Sequence, residues 1–342
     1  MTKPFDITTE PMFNDDVVAR AHFEKLRWPG GEPVCPHCGT VNDAVAVARD
    51  EKRAAKRKEE GKKIARDGLY FCRSCKGTFT ATTGTIYEDS HIPMRKWLLA
   101  HHLMAASKKG VSATQLQRML GLGSYRTAWF MAHRIRESMK PTDTTTKLGG
   151  PGMIVEADET YYGKVAEPKV SPRRAKEGRP VTKSGKSGPG QKRAVVALVE
   201  RGGRSRVFHV GNADKATVAK IVRENVAEES RLMTDESRLY TGADQAFASH
   251  ETVKHSAGEY VRGDVHTNSA EGFFGVFKKG MTGVYQHCGE KYLSRYLTEF
   301  EFRHNTRAKL GFNDKDRAAL SIKGSVGRRL TLRQPKIKLS PA

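Results

Sequence analysis

The apolar positions of this chain change period along its length, and each change predicts a new element. Asp15 to Trp28 places Val18, His22 and Leu26 on one helical face, and Pro29-Gly30-Gly31 stops the helix. From Pro93, a favourable first helical residue, the residues Trp97, Leu98, His101, Met104 and Ala105 keep helical spacing as far as Lys108-Lys109-Gly110. Ser112 then caps a helix with Leu116, Met119 and Leu120 inward, Gly121-Leu122-Gly123 turns the chain, and Ser124 caps a second helix reaching Met139. This pattern fits a helix-turn-helix or an αα-hairpin packed on a core. In the first case Tyr125, Arg126, His133, Arg134 and Arg136 are the side chains a recognition helix could present to a DNA groove. Trp129, Met131 and Ile135 read as core.

Pro141 to Gly152 is a linker by composition, and after it the period shortens. Met153 to Tyr162, Ala194 to Glu200 and Arg206 to Val210 predict strands. Asp214 to Val226 predicts a helix, and Arg231 to Thr234 a short buried strand ending at Asp235. Further on, Ala270, Phe273, Phe274 and Phe277 form an i, i+3, i+4, i+7 stripe, with Glu271 and Lys278 together at its edge. Asn268 and Glu271 have the spacing of a capping box, and Gly280 ends that helix. Tyr292, Tyr296, Phe300 and Arg303 continue at helical spacing as a further core stripe. Three early strands, then alternating helix and strand, then helices, is an α/β order.

Charge adds a partner to this picture. The chain of 342 residues carries a formal net charge of +22, long enough for two or three domains with a substantial core. The excess is concentrated: residues 49–66 carry nine Lys/Arg against four Asp/Glu, 164–193 ten against two, and 307–342 ten against two. Three surface segments therefore supply the positive field, as expected of a protein whose partner is a polyanion, with nucleic acid the leading candidate. No N-terminal signal and no apolar run of the roughly 20 residues a membrane helix needs is present, so a cytoplasmic protein is expected.

Four of the five cysteines form two Cys-x-x-Cys knuckles, Cys35 with Cys38 and Cys72 with Cys75. Together they complete a tetrahedral four-thiolate zinc site, which in a small ribbon serves structure. The charged stretch Arg49 to Arg66 reads as an insertion in one hairpin of that ribbon. His37 points outward, and Cys288 is a free thiol.

Three acids stand apart from the core pattern. Asp158 falls within the first strand, where an unpaired acid is costly, Asp235 at the C-terminal end of its strand, and Glu271 on the helix edge. Glu156, Glu159 and Asp244 compete with them. Glu159 points to the face opposite Asp158, and Glu156 shares that face deeper in the strand. Asp264 and His266 precede the helix as supporting groups, His266 through hydrogen bonding.

Four blocks, VEADETYYG around Asp158, TDES at Asp235, EYVRGDVHTNSAEGFFGVFKKG, and YLTEFEFRHNTR from Tyr296, resemble the DDE transposases of bacterial insertion sequences that carry an N-terminal zinc ribbon. The resemblance implies a ribonuclease-H-like core in which Asp158, Asp235 and Glu271 hold divalent metal, Mg²⁺ or Mn²⁺, followed by the basic Lys278. Asn268 is an alternative or auxiliary ligand.

It implies an enzyme that binds the terminal inverted repeats of its element, cuts them and joins them to target DNA, working as a homo-oligomer on double-stranded DNA. A zinc-ribbon regulator without chemistry and a metal-dependent nuclease without strand transfer are the competing readings. The expected organisation is an N-terminal helical segment (1–33), a zinc ribbon (34–88), a helix-turn-helix region (90–140), a linker (141–151), the catalytic domain (152–310) and a basic tail (311–342).

Overall fold

The computed structural model describes residues 6–48, 56, 59–60, 67–166, 191–243 and 246–331. These divide into two compact units, one from Met1–Met104, Ala113–Met139 and Ala318–Ala342, the other from Ala105–Ser112 and Lys140–Arg317.

In the first unit a short helix α1 (Pro11–Asn14) leads into α2 (Asp16–Arg27), whose N-cap Asp15 accepts from the Val17 and Val18 N–H groups at 2.7 and 3.0 Å. The buried face of α2 is Ala19 and Phe23, one position beyond the predicted Val18 and His22; Val18 is exposed. The small Ala19 lets the helix sit close while Phe23 meets the Tyr87 ring edge-on at 5.1 Å. Strands β1 (Ala44–Ala46), β2 (Leu69–Cys72) and β3 (Thr78–Thr80) form an antiparallel sheet, on which Trp28 meets Tyr70 at 5.4 Å and Tyr70 stacks on Phe79 at 5.5 Å.

The N-terminal helix therefore packs with the ribbon instead of standing as a separate segment. Ala46 pairs with Tyr70, so the charged insertion joins the two strands of one hairpin, as expected; only 56, 59 and 60 of residues 49–66 are described.

Helix α3 (Met94–Ala106) buries Trp97, Leu98, His101 and Met104. His101 is fully enclosed, its Nε2 2.8 Å from the Tyr87 hydroxyl and its Nδ1 2.8 Å from the Ser321 hydroxyl. Helices α4 (Ala113–Met119) and α5 (Tyr125–Ser138) follow. Leu116 and Leu120 are buried as predicted, but Met119 is exposed.

The predicted basic tail is not a tail over its first part. Asp314–Lys323 is helical, Ser325 and Val326 bond back to Ile86 and Thr85, and Arg329 pairs with Asp89 at 2.8 Å. Residues 332–342 lie outside the described residues.

The second unit is built on a five-stranded sheet. Strand β4 (Ile154–Lys164) pairs antiparallel with β5 (Lys192–Glu200), which pairs antiparallel with β6 (Ser205–Val210). After helix α6 (Lys215–Asn225), β7 (Arg231–Asp235) joins the other side of β4 in parallel, and β8 (Ser249–Val253) extends the sheet in parallel beyond it. The order is β6-β5-β4-β7-β8. The sequence pattern did not reveal β8. Lys164 pairs with Lys192 across the hairpin that carries the Gly/Pro/Lys-rich excursion, of which residues 167–190 lie outside the described residues.

Alternation along β5 sends its side chains to two cores. Val195, Ala197 and Val199 pack with α7 (Asn268–Gly280) and α8 (Leu293–Asn305); Val196 and Leu198 pack with α6. Gly280 has a right-handed φ of −68°, and the chain runs on into a π-helical turn, so it is not the expected glycine stop. Its role is close approach: a Cβ there would sit 2.5 Å from the Phe300 ring and 2.7 Å from the Lys109 carbonyl oxygen.

Glu301, on α8, is buried against β6 and accepts from the Val207 N–H at 3.2 Å. Burial raises its carboxyl from 4.5 to about 7. Between those values the folded state holds a proton that the unfolded chain has released, so stability falls as pH rises through the window. Glu301→Gln should therefore be more stable than wild type at pH 8, by about 3 kcal/mol at most, and nearly equal at pH 4. Urea unfolding at the two pH values checks this; an equal difference at both would remove the assignment.

Candidate functional site

The four cysteine sulfurs lie within 4.8 Å of one another, with Cys35 to Cys75 and Cys38 to Cys72 both 3.7 Å. Tetrahedral Zn–S bonds of about 2.3 Å put sulfurs about 3.8 Å apart, so the donor set fits one zinc ion. A left-handed residue follows the second cysteine of each knuckle, Gly39 (φ 75°) and Lys76 (φ 58°), and the Gly39 N–H donates to the Cys35 carbonyl oxygen at 2.9 Å, closing the first turn. His37 is exposed with Nε2 3.3 Å from the Thr78 carbonyl oxygen, outside the sulfur cluster.

In the second unit the parallel pairing of Glu156 with Met233 sets Asp158 and Asp235 two residues further along adjacent strands. Asp158 is half-buried and its carboxyl is pushed up to about 7, first by burial, then by the neighbouring Glu159, Asp235 and Glu271. Asp235 and Glu271 thus stand near enough to Asp158 for their charges to act on it. Asp158 Oδ1 accepts from the Glu159 N–H at 2.8 Å, and Asp235 Oδ1 from the Ser237 N–H at 3.0 Å. Glu271 is exposed on the first turn of α7, with Oε1 3.7 Å from His255 Nε2.

Among the described residues only the cysteines form a cluster within 4.8 Å, so the three carboxylates share a neighbourhood without converging as tightly. Carboxylate oxygens at the end of a strand pair are the donor chemistry of a hard divalent cation, which would relieve their repulsion. Glu159 faces the other side, its oxygens taken by the Ser237 hydroxyl at 3.1 Å and the Tyr240 hydroxyl at 2.9 Å. Asp244 lies outside the described residues.

Residues 147–305 match the ISXO2-like transposase domain, and residues 14–78 match the transposase zinc-ribbon domain. The chain thus carries a transposase zinc ribbon followed by an ISXO2-like transposase domain. An uncharacterized protein in transposable element ISH50 of Halobacterium salinarum is 28% identical over 251 residues, covering 71% of this chain and 80% of that protein. A chain of the cryoEM structure of the simian T-cell lymphotropic virus intasome in complex with PP2A regulatory subunit B56 gamma aligns at 13% identity. It covers 54% of this chain and 63% of its own length with a TM-score of 0.27.

In this transposase domain the predicted capping box does not form. Asn268 is already helical, the N-cap is Thr267, and no side chain of the helix caps it. The cap comes from the sheet. Glu156, fully buried on β4, accepts from the Ser269 N–H at 2.6 Å, the Ala270 N–H at 3.1 Å and the Ser269 hydroxyl at 3.0 Å. A carboxylate at a helix N-terminus also meets the positive end of the helix dipole. Arg201 balances the charge from 2.8 Å and extends to the Asp264 and His266 carbonyl oxygens at 2.7 and 3.0 Å. His266 thus has the hydrogen-bonding role expected of it, and Asp264 pairs with Arg231 at 2.7 Å.

Glu156, ranked in the sequence only as a competing acid, joins the Asp158 strand to the Glu271 helix. Glu156→Ala should cost about 3–5 kcal/mol, because Arg201 and two helix N–H groups lose their acceptor in a buried setting. Glu156→Gln should cost less. Chemical denaturation measures both, and a loss below about 1 kcal/mol for the alanine would show that the network is redundant.

Three residues offered for DNA contact are not on the surface. His133, Arg134 and Arg136 are 0%, 7% and 2% exposed. The Arg134 guanidinium donates to the Glu88 carbonyl oxygen at 2.6 Å and lies 5.5 Å from the rings of Trp97 and Phe130. The reason is the width of the buried arc: α5 packs from Ala128 to Ser138 on more than one face. Tyr125 and Arg126 remain exposed, just inside the Ser124 cap, which accepts from the Thr127 N–H at 3.1 Å. Lys278 is exposed two turns after Glu271, and Asn268 is exposed at the helix start. His255 and Arg201 were not singled out by the sequence; neither belongs to a periodic stripe or a ligand spacing, so no local signal marks them.

Proposed function

We propose that this chain is the DNA transposase of its insertion sequence, an enzyme that cuts the element's ends and joins them to target DNA. The observation carrying this reading is the parallel register that sets Asp158 and Asp235 at matching positions of adjacent strands, with Glu271 near enough for its charge to act on Asp158. The sheet order, three antiparallel strands followed by two parallel ones, supports a ribonuclease-H-like core over residues 152–310. Magnesium ions held by the three carboxylates would activate the attacking oxygen and stabilise the leaving one.

The chain's own groups do the rest. Glu156 fixes where α7 begins and hence where Glu271 stands. Lys278, on the same edge, offers an ammonium to a backbone phosphate. Tyr125 and Arg126 present an aromatic and a guanidinium at the start of the second helix of a helix-turn-helix over 113–139, while the net charge of +22 supplies attraction to any duplex. The zinc ribbon holds the N-terminal unit in shape. Among the described residues no helix is long and apolar enough to cross a membrane.

The test is incubation of the full chain with duplexes carrying the element's own inverted repeats, plus a target plasmid and Mg²⁺. Hydrolysis at the repeat ends should free 3′ hydroxyls, and these should then be found joined to the plasmid. Binding without cutting would favour a regulator, and cutting without joining a nuclease.

A further inference from the structure

The second unit holds a cavity of about 450 Å³ beside α7, on the other side of the Phe277 stripe from Glu271. Its size is within the roughly 300–1,000 Å³ of pockets that take small organic ligands. One wall is apolar, made by Phe273 and Val276 of α7, Phe300 of α8 and Val199 of β5. The charged part of the lining is mainly cationic: Lys108, Arg307, Lys309 and Arg317, the last paired with Asp314 at 3.0 Å. The opposing carboxylate, Glu200, is partly engaged, accepting from the Gly149 N–H at 3.2 Å.

Two nitrogens sharpen the chemistry. Arg303 Nε and His304 Nε2 are buried without a hydrogen-bond partner among the described residues, and both side chains line the cavity. Arg303 is held from its other end. Its Nη2 pairs with the buried Glu299 carboxylate, its Nη1 donates to the Ser107 and Lys108 carbonyl oxygens at 3.2 and 3.3 Å, and its guanidinium lies 4.6 Å from the Phe300 ring, so Nε is the donor left for a ligand. The site is thus a fixed planar guanidinium beside aromatic rings, with the half-buried Arg307 and Arg317 and the exposed Lys108 and Lys309 gathered around it, more cationic groups than the carboxylates nearby answer. Asn268 and Ser269 add hydrogen-bonding groups at one margin. Inorganic phosphate would satisfy the cations and leave the apolar wall unused; a neutral ring would do the reverse.

We propose that this cavity binds one nucleotide, its base against the Phe273 and Phe300 wall and its phosphate on the side of Arg307, Lys309 and Arg317. Base-on-aromatic contact tolerates any sequence, which suits a site without a fixed partner for each base edge. The nucleotide has two possible sources with the same chemistry: an unpaired position of a DNA strand, which rests on the transposase reading, or a free nucleoside phosphate.

The experiment uses the full chain in equilibrium titrations with deoxyadenosine monophosphate, deoxyribose 5-phosphate, a blunt duplex and the same duplex with a three-nucleotide overhang. The mononucleotide should bind saturably, and deoxyribose 5-phosphate at least about tenfold more weakly. Gly272→Leu is the blocking variant, since Gly272 lines the cavity and a Cβ there meets nothing within 4 Å. It should weaken mononucleotide binding at least about tenfold without lowering the unfolding temperature, and Lys309→Glu, at an exposed position, should weaken it as well.

Displacement of the mononucleotide by the overhang duplex but not the blunt one would identify a strand nucleotide, and displacement by neither a free one. No saturable binding, or equal binding by wild type and Gly272→Leu, overturns the proposal. Because the titration needs no chemistry, a chain that binds mononucleotide but fails to cut DNA loses only the transposase reading.

Discussion

Asp158→Asn, Asp235→Asn and Glu271→Gln are each expected to lower DNA cleavage and strand transfer by on the order of a thousandfold or more, while DNA binding persists. Each change keeps size and removes one negative oxygen donor from a site whose chemistry depends on holding divalent cations. The fold should tolerate all three. Asp158 is held up to about 7 by burial and by its acidic neighbours, so neutralising it removes repulsion instead of support. Glu271 makes no cap, because Glu156 already accepts from the helix N–H groups, so the glutamine variant leaves α7 anchored.

Acids acting through one set of ions are not independent, so double variants should be scarcely worse than singles. Mn²⁺ should recover a little activity in the singles, since it accepts less regular oxygen coordination. Near-normal cleavage by Glu271→Gln, with Asn268→Ala inactive in folded protein, would hand the third position to Asn268 instead.

Cys72→Ser should lose the zinc and unfold the N-terminal ribbon. Cys72 is fully buried, its sulfur 3.7 Å from that of Cys38, and it ends β2 in register with Ala44. Its loss opens the tetrahedron and frees the strand that carries Tyr70, on which Trp28 and Phe79 pack. Metal analysis should find about one zinc per wild-type chain and well under half of that in the variant. The near-ultraviolet signal of the packed aromatics should fall with it, since binding energy in such sites is folding energy. Cys288→Ser is the control: that thiol lies in the second unit with Sγ 3.3 Å from the Gly289 carbonyl oxygen, and zinc content should not change. Full zinc retention by Cys72→Ser would dismiss the four-thiolate site.

What the sequence determined by itself was what is local. Two cysteines three apart define a knuckle whatever surrounds them, and the Ser124 and Asp214 caps are legible because cap and helix are neighbours. The strand-to-helix order of the second unit followed from the changing period of apolar residues. The arcs that tertiary packing buries were harder to read. Around α2 the Val18 and Ala19 stripes differ by one residue, and tertiary packing, Phe23 against Tyr87 included, buries the Ala19 and Phe23 face.

On α5, Arg134, which a helical wheel offers to solvent, is enclosed by residues distant in the chain, Glu88 and Trp97 among them. Strand β8 is half polar, Ser249-His250-Glu251-Thr252-Val253, and becomes a strand through the ladder that β7 offers it. The capping of α7 by Glu156 joins residues 113 and 114 positions apart. No local pattern encodes that bond, because its strength comes from burying a carboxylate among donors that only the folded sheet and helix bring together.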